Sequence, residues 1–325
     1  MAACLKLEKV YSLPVLLSGL GSLLLTKAEV RMIDQHYVNI LRKLLKTHSG
    51  TPQAFVLFLA GSLPGTALLH LHSLSLFSMI SRLPSDPLHK RAVYALTTAP
   101  PSWRSWFSNI RDICLLYRLP HPLSLLKNPL PKEQFKKMCK SHVIGYWEGV
   151  LRQEVSQLSS LMYFKAHFHS LVTPHPIIWT PGANPYEVAK AVIQLKMLSG
   201  RYRTAVLTRH WGSNKSGCCP VPDCTEQESL EHLLVVCPYY DQYRTRLRSL
   251  WTNTKNQYLK SLVSEVLLST TNELVQFILD PSVHPVIISH VQAYGKELLN
   301  LVFHLTRTWC FTIHRERVKL LKLLK

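Results

Sequence analysis

The chain has 325 residues, 47% of them hydrophobic and 18% charged, a composition that excludes a disordered tail and allows one large or two modest cores. Thirty-eight Lys and Arg against nineteen Asp and Glu give a formal charge of +19, which points to a polyanionic partner, nucleic acid first and an anionic membrane surface second. Eight cysteines in a chain this long do not make a disulfide scaffold, and a reducing, intracellular setting, nuclear or cytoplasmic, fits them best.

Glycine is scarce, proline is frequent, and Leu-rich stretches recur without β-type alternation. These features predict an all-α fold with no large sheet. The apolar stretch Val10 to Leu25 follows Glu8 and lacks a small-residue cleavage site, so it does not read as a secretion signal. An amphipathic helix is expected from Ala28 to Lys46, with Arg31, Arg42, Lys43 and Lys46 opposite its apolar face. Ala54 to Ile80 carries no formal charge over 27 residues, long enough to span a bilayer. Its Pro, Gly, His and Ser content favours two buried helices meeting at Ser62 to Gly65, and no membrane span is expected. Five regions follow: residues 1–84, 85–132 ending in a Pro-rich linker (Arg118 to Lys132), 133–183 with a helix from Glu133 to about Phe168, 184–250, and 251–325.

The one stretch that reads as chemistry is CCPVPDCTEQESLEHLLVVCPYY. Cys219, Cys224, His232 and Cys237 stand in a C-x4-C-x7-H-x4-C array, able to close a tetrahedral Zn²⁺ site of the CCHC type with no position open for water. Cys218 is the alternative first ligand. Thr225 and Glu228 read as a capping box opening a helix of about three turns, with His232 in its middle. Cys237 lies about 140° round that helix from His232, so it reaches the same ion only if the helix stops there, as Pro238 favours. Three thiolates on Zn²⁺ leave a charge of about −1 for nearby cations to offset.

Between Lys190 and Lys215 stand Lys190, Lys196, Arg201, Arg203, Arg209 and Lys215 with no acidic residue after Glu187, interleaved with Tyr202 and Trp211. With Arg244 and Arg246 beyond the cluster, this mix is the one expected of a surface that tracks a nucleic-acid backbone. The last segment, Leu301 to Lys325, is a basic amphipathic helix fit for nucleic acid, a membrane or a partner's groove. Six aspartates are scattered along the chain, and no converging carboxylate set, P-loop or H-E-x-x-H appears, so no enzyme is expected. His70 and His72 read as satisfied core or interface histidines.

GSLPGTALLHLHSLSLFSMISRLP, SWFSNIRDICLLYRLPHPLSLL, YWEGVLRQE, LKMLSGRYRTAVLTRHWG, the metal array with CPYYDQYR, and RTWCFTIHRERVKLL follow one another in an order that resembles the carboxy-terminal third of a non-LTR (LINE-type) retrotransposon reverse transcriptase polyprotein. The resemblance runs from about Leu7 to the end. It implies a thumb and connection region at the start of the chain and a zinc knuckle that helps to hold RNA or DNA. It also implies a remnant, because fingers, palm aspartates and endonuclease are absent. The function expected is therefore a zinc-stabilised nucleic-acid-binding remnant without chemistry of its own. The alternatives are a protein-interaction module in which zinc only stabilises the scaffold, and a fragment without function.

Overall fold

The computed structural model describes residues 1–84, 88–97, 104–209, 216–252 and 257–323. Helices dominate, and among the described residues there is no strand, only an isolated bridge between Cys218 and Gln227. The joints at Asp86 and Thr98 to Ser102 lie outside the described residues.

Helix α1 (Ala2–Leu7) runs through a wide turn at Glu8–Ser12 into α2 (Leu13–Leu17). Helix α3 (Lys27–Leu44) opens on a capping box in which Thr26 and Glu29 satisfy each other's backbone N–H, and it buries Tyr37, Val38 and Leu41. This matches the amphipathic helix expected from Ala28. The apolar stretch that follows is two helices, α4 (Gln53–Ala60) and α5 (Gly65–Ser81), bent by 58° at the expected turn. No single described helix is long and apolar enough to cross a membrane, although this bent pair passes on length and composition. Every α4 side chain from Ala54 to Ala60 is buried within the protein, where Phe55 meets Phe164 edge to face at 4.8 Å.

Helices α6 (Leu88–Thr97), α7 (Trp106–Leu116) and α8 (Pro122–Lys127) follow. The segment from Arg118 to Lys132 is thus no open linker. Its prolines start and stop α8, which buries Pro122, Leu125 and Leu126. The Tyr117 hydroxyl beside it accepts from Trp147 Nε1 at 2.9 Å and shares a hydrogen bond of 2.7 Å with His70 Nδ1. Burial lowers the His70 pKa to about 4, which keeps the ring neutral. His70 is the satisfied core histidine expected, while His72 is exposed.

Helix α9 (Lys132–Ser156) stops twelve residues before Phe168, the expected end. The chain leaves helical geometry at Leu158 and buries Leu161, Phe164 and Ala166 through two short 3-10 turns. Burial of those apolar side chains outweighs the helical continuation that periodicity alone favours. Ser160 passes so close to Gly200 that a Cβ on that glycine would lie 2.3 Å from its carbonyl oxygen.

The second half holds α10 (Pro176–Trp179), α11 (Pro185–Leu198), α12 (Ala205–Thr208), α13 (Asp241–Thr252), α14 (Gln257–Leu267) and α15 (Thr271–Leu279). All but α10 and α12 gather around α16 (Pro285–Leu323), which is broken at Gly295 (φ 63°, ψ −148°). Val302, Phe303, Trp309, Cys310 and Ile313 of α16 are fully buried, so the apolar face of the terminal helix is spent inside the protein. The buried apolar side chains of both halves form one contiguous cluster.

Gly61 is the tightest joint between the halves. It sits at φ 55°, and a Cβ there would lie 2.2 Å from the Thr173 carbonyl carbon, beside the hydrogen bond from His175 N–H to Leu59 C=O at 3.0 Å. Both the left-handed backbone and the backbone contact forbid a side chain. Gly61→Ala is expected to lower stability by about 2–4 kcal/mol, measured as a lower midpoint in chemical denaturation.

Candidate metal centre

The centre is built from a turn and a short helix. Cys218 pairs with Gln227 as an isolated bridge, and Cys219 N–H donates to Glu226 C=O at 2.8 Å while Glu228 N–H donates to Gly217 C=O at 3.0 Å. Between those rungs Pro222 and Asp223 reverse the chain, with Asp223 at φ 64°, a conformation Asp tolerates better than most residues. Successive residues of an extended segment face opposite ways. Cys219 therefore turns inward and is buried, while Cys218 turns out and approaches only the Ser216 carbonyl.

The helix does not start at Thr225. Ser229 is its cap, accepting from His232 N–H at 3.0 Å, and the next turn widens into a π-turn, His232–Val236. Cys237 N–H donates to His232 C=O at 2.7 Å, the five-residue spacing that brings both residues to one side. Cys237 then leaves helical geometry at φ −55°, ψ 121°, before Pro238. The stop at Pro238 is where it was expected, and the wide turn supplies the reach that an α-helix lacks. Glu228, expected in a capping box with Thr225, points its carboxylate elsewhere: it takes Arg317 Nε at 2.6 Å and Nη2 at 2.7 Å, and the N–H of Ala205 at 2.5 Å.

The ligand atoms of Cys219, Cys224, His232 and Cys237 all lie within 4.8 Å of one another. Cys219 and Cys237 stand 3.8 Å apart at sulfur, and Cys224 Sγ lies 3.5 Å from His232 Nε2. A disulfide needs about 2.05 Å. A tetrahedral ion with bonds of about 2.3 Å to sulfur and about 2.0 Å to nitrogen sets these edges at about 3.8 and about 3.5 Å. Burial pushes the Cys219 and Cys237 thiols up and the His232 imidazole down, so a cation entering here must displace thiol protons.

Arg244 gives the electrostatic test of that fit. It is 1% exposed, donates from Nη2 to the Cys237 carbonyl, and leaves Nε and Nη1 without a hydrogen-bond partner. A buried cation needs an anion close by. Asp241 stands at 3.6 Å, and nearby Cys237 also favours the guanidinium's charge against its burial. Arg244 is interior and is not part of an outer nucleic-acid surface.

The other cations divide. Lys190 is also interior, bonded to Glu187 at 2.8 Å and Thr308 at 3.2 Å, over the ring of Tyr186. Arg201 is half-buried beside Gly50, and Tyr202 is buried, bonded to His314 and covered by Arg317. Tyr202 is therefore no stacking platform. Lys196, Arg203, Arg209 and Arg246 are exposed. Trp211 and Lys215 lie outside the described residues.

No family model matches this chain, and no curated protein or solved structure matches it either.

A second cluster escaped the sequence reading. His169 and His175 place Nε2 at 3.2 and 3.1 Å from Asp280 Oδ2, with His175 and Asp280 buried and His169 half-buried, although 105 residues separate His175 from Asp280. The donor set is one a metal can use, but the hydrogen bonds assign its protons. His175 Nδ1 accepts from Ile177 N–H at 3.1 Å, so the neutral ring carries its proton on Nε2 and donates it to Asp280, leaving no lone pair there for a cation. Ser282 closes the other carboxylate oxygen from its N–H and Oγ. The cluster is a clamp that ties the start of α10 to the end of α15. Its only local signals are His175 before Pro176 and Asp280 before Pro281, and neither names a partner.

Glu187, which joins α11 to α16, gives a pH-dependent prediction. Burial works against its charge, but hydrogen bonds from Lys190 and Arg307 outweigh it and hold the pKa down to about 2. Its stabilisation is present above the ordinary carboxylate value near 4.5 and is lost as pH falls towards 2. Glu187→Gln is expected to cost about 1–2 kcal/mol at pH 7, with the difference from wild type closing below pH 4 in urea titrations at several pH values.

Proposed function

We propose that the chain is a zinc-stabilised module that binds a nucleic-acid backbone. One arrangement carries the reading: four sulfur and nitrogen donors lie within 4.8 Å of one another, two of their edges at tetrahedral length, and Glu228 between them bonds the N–H of Ala205, in the segment of the exposed cations Arg203 and Arg209 and just after Lys196. Three cysteines and a histidine select zinc among common ions by donor softness and geometry. The four donors complete the tetrahedron, so the zinc holds structure and offers no position to substrate.

The charge distribution supports the second half of the proposal. Among the described residues, buried carboxylates (Glu8, Glu228, Asp280, Glu316) and buried cations (Lys90, Lys190, Arg244, Arg307, Arg317) nearly cancel, so most of the excess of +19 is carried outside the interior. The resemblance to the carboxy-terminal part of LINE-type reverse transcriptases agrees with both halves. Phosphates are the ligand of such a surface, and backbone contacts carry no sequence preference by themselves. The alternative of the terminal helix as a free partner-binding helix loses its apolar face to the core.

Two measurements test the reading. Protein expressed with zinc is expected to hold one ion per chain by elemental analysis, with Cys219→Ser losing it and Cys218→Ser keeping it; one ion in both variants overturns the ligand assignment. Affinity for single-stranded RNA and DNA is expected to fall with salt, and replacing Lys196, Arg203 and Arg209 by Ala is expected to lower the log–log salt slope by about 1 for each phosphate no longer neutralised. Binding indifferent to salt overturns the nucleic-acid assignment.

A further inference from the structure

A groove of about 520 Å³ lies between α5 and α9, far in sequence from the metal centre. Its floor is aliphatic: Leu71, Leu74, Leu76 and Met79 from α5, with Phe135 from α9. Met79 is 53% exposed at the mouth of the groove. The rim is cationic. Lys132, Lys136 and Lys140 stand at successive four-residue steps along α9, and Arg82 closes the end of α5. Among the described residues no carboxylate lines the groove.

We propose that this groove takes an acidic amphipathic helix of a partner protein. Length, volume and charge each point the same way. Leu71 to Arg82 spans about 16 Å and Lys132 to Lys140 about 12 Å along their helix axes. A docked helix presenting apolar anchors at i, i+3 and i+7 needs about 10.5 Å, and a volume of about 520 Å³ admits three large side chains. Lysines repeating every four residues face carboxylates that repeat at the same step on the incoming helix, which fixes its register and rejects basic partners. Nucleobases are the poorer match. They bind on exposed aromatic platforms, and Phe135 is 4% exposed, which leaves the small His72 ring as the exposed one among the described lining residues.

The test uses the full chain and a fluorescein-labelled synthetic 16-residue helical peptide with Leu at i, i+3 and i+7 and Glu along both flanks, read by fluorescence anisotropy. Saturable binding is expected. The combined Lys132→Glu, Lys136→Glu and Lys140→Glu variant is expected to weaken it at least tenfold, and Ser75→Trp, which fills the groove from an exposed lining position, to do the same with an unchanged melting temperature. Equal binding of a scrambled peptide of the same composition overturns the proposal, as does unaltered binding in both variants. Displacement of the peptide by an oligothymidine assigns the groove to nucleic acid and overturns it as well.

Discussion

The pair between Glu228 and Arg317 is the interaction on which the second half of the molecule depends. Glu228 is fully buried and takes two hydrogen bonds from the Arg317 guanidinium while a third reaches it from Ala205 N–H. One carboxylate therefore joins the metal segment, the start of α12 and the terminal helix α16. Arg317 also lies over Tyr202, whose hydroxyl bonds His314 on the same helix. A bidentate pair of this geometry offsets the cost of burying both charges, whereas removing either partner leaves the other uncompensated at a cost of about 3–5 kcal/mol. Trp309 adds a second tie by donating to the Leu234 carbonyl beside the π-turn.

That pair also explains what a single sequence can and cannot say here. The T-x-x-E pattern occurs at Thr26 with Glu29, at Thr270 with Glu273, and at Thr225 with Glu228. In the first two the glutamate is exposed and closes a capping box. In the third, an arginine 89 residues away claims the carboxylate, the bridge to Cys218 claims the backbone, and Ser229 takes over the cap. Local chemistry was the same in all three places, and tertiary competition decided the outcome. The four ligands were nevertheless legible, because donor type and spacing are local properties; their closing geometry, a π-turn, was not.

Helix positions were legible where polarity alternates round a helix, as in α3, or where proline and Asn mark a start, as in α11 at Asn184 and Pro185. The end of α9 was not, since the apolar residues past Ser156 are buried by turns instead of a continued helix. The cations were the least legible. Arg201, Tyr202 and Arg203 are adjacent, yet Tyr202 faces the core, Arg203 faces solvent and Arg201 lies between. Lys190 and Arg244 looked like surface charges because charge runs usually are, but both are buried, Lys190 against Glu187 and Arg244 against Asp241 and the Cys237 carbonyl.

The metal centre is accordingly part of the main interior and not an appendage to it. Cys219 and Cys237 belong to the same contiguous cluster of buried side chains as Leu233, Leu234 and Trp309. An independent zinc finger folds and unfolds with its metal alone. Here Cys237 holds Arg244 through its carbonyl, and the same short helix presents Leu234 to Trp309 of α16, so an ion at the candidate site would be tied to both. A change at the four donors would therefore fall on the contact between their segment and α16. The geometry of the exposed cations on the preceding segment depends on that contact through Glu228 and Ala205. If the site holds an ion as proposed, metal retention and the arrangement of the exposed cations are linked, because the ion would act on them only through the helix that carries its donors.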